Sequence, residues 1–258
     1  HSLIRGALEA GKPVVTANKE VMAKFGAPLV QTANRQNVRL LYEAAVGGGI
    51  PLVATMRRGL AGNRITTVRA IINGTTNYIL TRMGEQGVDF SEALDEAQAQ
   101  GFAEADPAND VDGIDAAYKL AIIAGLAFHS PVTADQVFHE GIRHLTSNDF
   151  RYAKELGYTI KLLAIAREDR QQIELRVHPA LIHQETLLAK VSGVYNAIEL
   201  DGDLTGQVLL YGKGAGSEPT TSAVLSDIIE IAAELAEGRL PRAKAEFQTA
   251  MTVRPIEN

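Results

Sequence analysis

Residues 13–44 read PVVTANKEVMAKFGAPLVQTANRQNVRLLYEA. Two runs rich in valine and leucine, 13–17 and 38–44, have the composition of short strands. Between them, 27–37 reads as a helix, and 1–11 reads as another that stops at Gly11. Helix, strand, helix, strand is the alternation of a parallel sheet covered by helices. In open sheets of that kind ligands bind beyond the carboxyl ends of the strands. Lys19 falls at that point, just past the first run. Taken alone, the segment also permits an ordinary loop lysine there.

Outward from this unit the pattern changes. VGGGI at 46–50 breaks the backbone, and a helix is expected over 51–60 with Pro51 in its first turn. RITTVRAII (64–72) is a strand signal. A helix capped by Asn or Thr and closed by glycine follows at 73–87, then another at 89–101 with Ser91 as its cap. Segment 112–128 is nearly apolar beyond Lys119 and reads as a central buried helix. Strands are expected at 157–168, 171–181, 188–200 and 206–212, a long helix at 222–238, and a connector at 241–258.

At 258 residues the chain is long enough for a sizeable core and two domains. A net charge of −6 argues against a nucleic-acid or anionic-membrane partner. No apolar run approaches a membrane span and no secretion signal is read, so the expected location is cytoplasmic. The sequon at Asn73 is therefore not read as a glycosylation site. Cysteine is absent, which excludes disulfides, thiolate zinc sites and a cysteine nucleophile together.

The segment GFAEADPANDVDGIDAAYKL, 101–120, carries five carboxylates and closes on Lys119. Asp115 and Lys119 are four apart and share a helix face. Asp112 and Asp115 lie near that helix's positive end, where acids are stabilised. Spacing alone leaves two readings open. One is a surface ion pair worth at most about 1 kcal/mol. The other is a partly buried lysine available for catalysis, which the apolar LAIIAGLAF after it favours.

YEAAVGGGIP (42–51) and YGKGAGSEPTTSAV (211–224) place glycines between a strand and a helix. Such backbone approaches phosphates closely or presents carbonyls to a cation, and a tight turn explains it equally well. Neither run has the spacing of a dinucleotide fingerprint or a P-loop. His139 and His144 in FHEGIRH are five apart, not the i, i+4 of a zinc protease. No tyrosine has a lysine four residues on, which removes the short-chain reductase pair.

Five motifs, VVTANK (14–19), YEAAVGGGIP, INGTTNYIL (72–80), 101–120 and GKGAGSEPTTSAV (212–224), together and in this order closely resemble homoserine dehydrogenase. The resemblance implies reversible reduction of L-aspartate 4-semialdehyde to L-homoserine with NADP or NAD as cofactor, on the route to threonine, isoleucine and methionine. It implies Lys119 as the acid/base lysine and Lys19 as a second essential lysine near the nicotinamide and the substrate. Glu104 and Asp115 would hold the substrate's amino group, and Asp110 would support the lysine network. Gly101 and Gly216 would lie against the cofactor, as would Lys19. Glu43 and the backbone carbonyls of Val46, Gly48 and Ile50 would bind a sodium ion.

The fold implied is α/β: a partial Rossmann-like remnant over 1–45, an α+β catalytic and dimerisation domain with a mixed sheet over 46–212, and a helix and connector over 213–258. The family's glycine fingerprint would precede His1 and a regulatory ACT domain would follow Asn258, so the 258 residues are expected to be a central portion that is impaired alone. The implied partners are a small-molecule substrate and a second copy in a homodimer, with no nucleic acid and no membrane. A non-catalytic amino-acid-binding or regulatory module on the same fold is the alternative reading. Another NAD(P)-dependent reductase of an amino-acid aldehyde is a second.

Overall fold

The computed structural model describes residues 1–238 and 251–256. The first unit alternates as the sequence indicates: α1 (Ser2–Glu9), β1 (Val14–Val15), α2 (Lys19–Gln36) and β2 (Leu40–Leu41). β1 and β2 pair in parallel, Val14 with Leu40 and Val15 with Leu41. Helix α2 starts eight residues before the expected 27. Asn18 caps it, its side chain accepting the Val21 N–H at 2.9 Å. Pro28 lies inside the helix and removes one backbone bond. Burial of Met22, Ala23, Leu29, Val30 and Ala33 along one stripe outweighs that loss.

The helix expected over 51–60 is shorter and irregular. α3 (Leu52–Ala54) runs into a π-helical turn, Thr55–Gly59, closed by the Leu60 N–H to the Thr55 carbonyl at 2.9 Å. Strand β3 (Ile65–Ile71) then leads into α4 (Gly74–Gln86), capped by Asn73 and ended by left-handed Gly87. In α5 (Phe90–Ala99) the cap position is Asp89, not Ser91. The Asp89 carboxylate accepts the Ser147 N–H instead of one from its own helix. A short α6 (Ala108–Val111) precedes α7 (Ile114–Ala127), which starts past Asp112 because Gly113 takes a left-handed turn, φ +81°.

The remaining elements are β4 (Phe138–His139), α8 (Ser147–Glu155), β5 (Tyr158–Asp169), β6 (Gln172–His183), β7 (Tyr195–Gly202), β8 (Gly206–Lys213), α9 (Ser217–Ala236) and β9 (Thr252–Val253). They form a mixed sheet in the order β4-β6-β5-β3-β7-β8, with β9 also on β6. β3 is antiparallel to β5 and β7, whereas β4 and β9 run parallel to β6. The strand expected at 188–200 begins only at Tyr195, since residues 188–190 turn in a 3-10 helix to bury Leu188. Helix α9 begins five residues early, at Ser217, with glycine rather than Ser or Thr at its cap. The expected connector lies partly outside the described residues, and Thr252–Val253 of it pair as a strand.

The sheet's two faces differ. On one, Val68, Ala70, Ile160, Leu162, Ala164 and Ala166 pack into the main core with α4 and α7. Helix α7 is buried along nearly its whole length and also meets α2, which ties the two units together. The other face has a small cluster of Ile71, Leu163, Leu188, Val191 and Ala197. Around it Tyr195 and Tyr211 stack with centroids 5.1 Å apart and remain exposed. Helix α9 lies against β1 and the turn at Glu43–Ala45.

Candidate active site

The apolar sequence of α7 draws that helix into the core, and with it the two charged residues of its first turns. Asp115 is 4% exposed and Lys119 is 9% exposed. One turn apart, they form an ion pair with Lys119 Nζ 2.8 Å from Asp115 Oδ2. The same ammonium donates to the Ile72 carbonyl at 2.8 Å. The surface-pair reading is thereby set aside. Lys19, in the first turn of α2, reaches the other oxygen, Asp115 Oδ1, with its side chain half exposed. Oδ1 is otherwise buried and takes no well-aligned hydrogen bond among the described residues.

Asn73 completes the cluster. Its Nδ2 donates to Asp110 Oδ1 at 2.7 Å and to Asp115 Oδ2 at 2.9 Å. Its Oδ1 accepts the Thr76 N–H at 2.8 Å as the cap of α4. Burial alone would push the Asp115 carboxyl up; the ammoniums of Lys119 and Lys19 outweigh it and hold it at about 2. Asp115 is therefore an anion at every physiological pH, with one cation on each of its oxygens.

The structure brings Lys19, Asp110, Asp115 and Lys119 together. Glu104 is not in that network: its side chain is exposed on the loop after α5, and its carbonyl accepts from Gln98. Gly101 opens that loop at φ +75° with open space where a side chain would be. Thr75 Oγ1 bonds the Phe102 carbonyl at 2.6 Å, joining the loop to the first turn of α4. Gly216, φ +119°, caps α9. Of the other two acids, Asp106 accepts the Ala108 N–H, and Asp112 pairs with Arg143 at the surface.

The triple-glycine loop packs tightly on the strand-to-helix turn before α9. A Cβ at Gly48 would stand 2.4 Å from the Gly214 carbonyl oxygen. Glu43 beside it is buried, and its two carboxylate oxygens accept the Val53 and Ala54 N–H groups at 2.8 and 2.7 Å. Its own N–H donates to Asp227 on α9 at 2.9 Å. Burial raises both carboxyls, the backbone donors opposing it. The Glu43 side chain thus acts as an anchor for the start of α3. Among the described residues no group of three or more His, Cys, Asp or Glu side chains could hold a metal, nor is any helix long and apolar enough to cross a membrane.

The homoserine dehydrogenase family model matches residues 51–229, most of the chain. The chain belongs to the homoserine dehydrogenase family. It is 51% identical over 226 residues to homoserine dehydrogenase from Neisseria gonorrhoeae, covering 88% of this chain and 52% of that protein. To the Synechocystis sp. enzyme it is 52% identical, covering 89% and 54%. It superposes on the crystal structure of a homoserine dehydrogenase from Thiobacillus denitrificans with a TM-score of 0.94 at 45% identity, over 98% of this chain and 60% of that one. A hyperthermophilic archaeal homoserine dehydrogenase solved in complex with NADPH matches with a TM-score of 0.80 at 29% identity, over 95% and 70%. The chain spans about half the length of the curated relatives it matches.

Two residues of the chain escape a reading of motifs. Asn73 reads as a helix cap, and nothing in its spacing announces that its amide also meets two carboxylates 37 and 42 residues away. Lys161 stands within a β-strand pattern, yet it is 4% exposed. Its ammonium donates to Val191 O at 2.6 Å and Asn77 Oδ1 at 3.1 Å. Burial pushes it down to about 8, with the charge of Glu85 opposing. The only signal for it was an alternation that puts Lys161 on the same side as Leu163 and Ile165.

Proposed function

We propose that this chain is the catalytic portion of an NAD(P)-dependent homoserine dehydrogenase, reversibly reducing L-aspartate 4-semialdehyde to L-homoserine. The observation that carries the reading is the buried Lys119, held between Asp115 and the Ile72 carbonyl and facing Lys19 across the same carboxylate. Bound NADPH or NADH supplies the hydride. As the aldehyde oxygen gains charge, the Lys119 ammonium stabilises it and gives it a proton; in the reverse direction Lys119 takes that proton back. Asp115 and the exposed Glu104 carboxylate orient the substrate's ammonium, and fixed orientation lowers the barrier by several kcal/mol. Asp110 steadies the network through Asn73.

The residues present fit one end of the cofactor. Lys19 follows β1, and α9 begins at Gly216 with no side-chain cap on its first N–H groups, a setting that favours anionic oxygens. Gly101 leaves open space beside its backbone. No G-x-G-x-x-G run occurs in the 258 residues, so the part of a dinucleotide fingerprint is assigned to no residue of this chain. The division at 45 and 213 is supported by the parallel β1–β2 pair and by α9 lying against β1. For sodium, backbone carbonyls are the right donor type. Val46, Gly48 and Ile50 would serve, and Glu43 through its carbonyl, since both its side-chain oxygens are engaged. The sheet face bearing Tyr195, Tyr211 and Leu209 is the surface for a second copy, in a cytoplasmic homodimer.

Replacing Lys119 with alanine in the complete protein tests the reading. Homoserine oxidation should lose at least about 100-fold in kcat, with circular dichroism unchanged. Unaltered turnover would refute the assignment.

A further inference from the structure

Asn73 is the one neutral group at the centre of the charged cluster, and three hydrogen bonds leave its amide no freedom. Its Oδ1 is held by the Thr76 N–H of α4, which obliges Nδ2 to face the other way. There its two hydrogens meet Asp110 Oδ1 and Asp115 Oδ2. The residue just before it, Ile72, receives the Lys119 ammonium on its carbonyl. Backbone and side chain of 72–73 therefore fix both partners of the Lys119–Asp115 pair at once.

The frame behind Asn73 is also tied down. One turn along α4, Asn77 Nδ2 donates to the carbonyls of Val191, Gly193 and Tyr195, between 2.9 and 3.2 Å. A Cβ at Gly74 would stand 2.9 Å from the Val194 carbonyl oxygen, so this turn lies directly on that loop. The start of α4 is thus fixed on the loop at 191–195, and Asn73 has a rigid base from which to hold the carboxylates.

Resting on the reading of the site given above, we infer that Asn73 is a positioning residue for the reaction. By occupying Asp115 Oδ2 together with Lys119, it leaves Oδ1 to Lys19 and so sets the place of both ammoniums. By bridging Asp110 and Asp115 with a neutral double donor, it lets two carboxylates stand close without sharing a proton. The groups facing it are Asp110, Asp115 and, through Asp115, Lys119 and Lys19.

Two variants of the complete protein test this, because serine and aspartate cap a helix as well as asparagine does. In Asn73→Ser the cap survives and the two donors vanish. KM for homoserine should rise 10-fold or more, with KM for the cofactor and the melting temperature little changed. In Asn73→Asp a third carboxylate faces Asp110 and Asp115; protonated, it can again donate to one of them. Its activity relative to wild type should therefore climb as pH falls, a trend that a merely structural role would not produce. Wild-type kinetics in Asn73→Ser, or a pH-independent ratio in Asn73→Asp, would overturn the inference. A wild-type protein inactive on homoserine would instead count against the functional reading itself.

Discussion

Lys119 and Asp115 lie one turn apart on α7 with their charged atoms 2.8 Å apart, and both are almost wholly removed from water. At the surface such a pair would contribute little. Buried, its main energetic consequence appears when one partner is taken away. Asp115→Asn leaves the Lys119 charge in the core with only neutral acceptors.

That variant should lose about 3 kcal/mol of unfolding free energy at pH 7, read from urea titration. Its pH dependence should change as well. Asp115 has its folded carboxyl near 2, below the ordinary 3.8, so its contribution is full above about pH 4 and is lost as pH falls toward 2. In wild type this amounts to roughly 2 kcal/mol across that window. Asp115→Asn should lack it, and identical acid limbs in the two proteins would rule out the lowering of this carboxyl by the two ammoniums.

Lys161 is shifted in the same direction, but here it is the charged form that burial disfavours. Its folded value near 8 is below the ordinary 10.5, so the unfolded chain holds more protons between those limits. Stability should rise with pH across that range, by roughly 3 kcal/mol from this group. Lys161→Met keeps the side-chain length and removes the titration. The difference in melting temperature between wild type and this variant should shift steadily in favour of wild type from pH 8 to 10. A constant difference would mean the ammonium is solvated.

Gly48→Ala puts a methyl 2.4 Å from the Gly214 carbonyl oxygen, at φ +57°. The loss should be about 2–3 kcal/mol from overpacking and backbone strain together. Gly87→Ala is the control, since Gly87 ends α4 at φ +68° with nothing within 4 Å. There only the backbone term applies, about 1 kcal/mol. Equal urea midpoints for the two variants would contradict a close approach of the two loops.

Much of the sheet was legible because its strands are long and β-branched, as in RITTVRAII and the 158–183 hairpin. Element starts were less so. Pro28 looks like a helix beginning, yet the burial of α2 carries the helix straight through it. Gly113 and Gly216 set starts that carboxylates and hydroxyls nearby had seemed to offer. In the site, Lys119 and Asp115 announce each other by spacing. Lys19 and Asn73 reach them across 96 and 42 positions, through a fold no local pattern encodes. Glu43 shows the reverse: its motif marks it, while its carboxylate is occupied by the backbone of α3.

The bond from Lys119 to the Ile72 carbonyl has a geometric consequence. An ammonium has three hydrogens, and here two are spoken for, by Ile72 and by Asp115. Tetrahedral geometry then leaves a single direction for the third, so a carbonyl oxygen can meet it along one line only. A carbonyl held on that line, with its amino end anchored, shows one prochiral face to the opposite wall. Reduction of an aldehyde to a primary alcohol creates no stereocentre, yet a deuteride delivered there would enter only one of the two methylene positions. A main-chain oxygen, through the lysine it aims, would in this way share in choosing between the two hydrogens of one methylene.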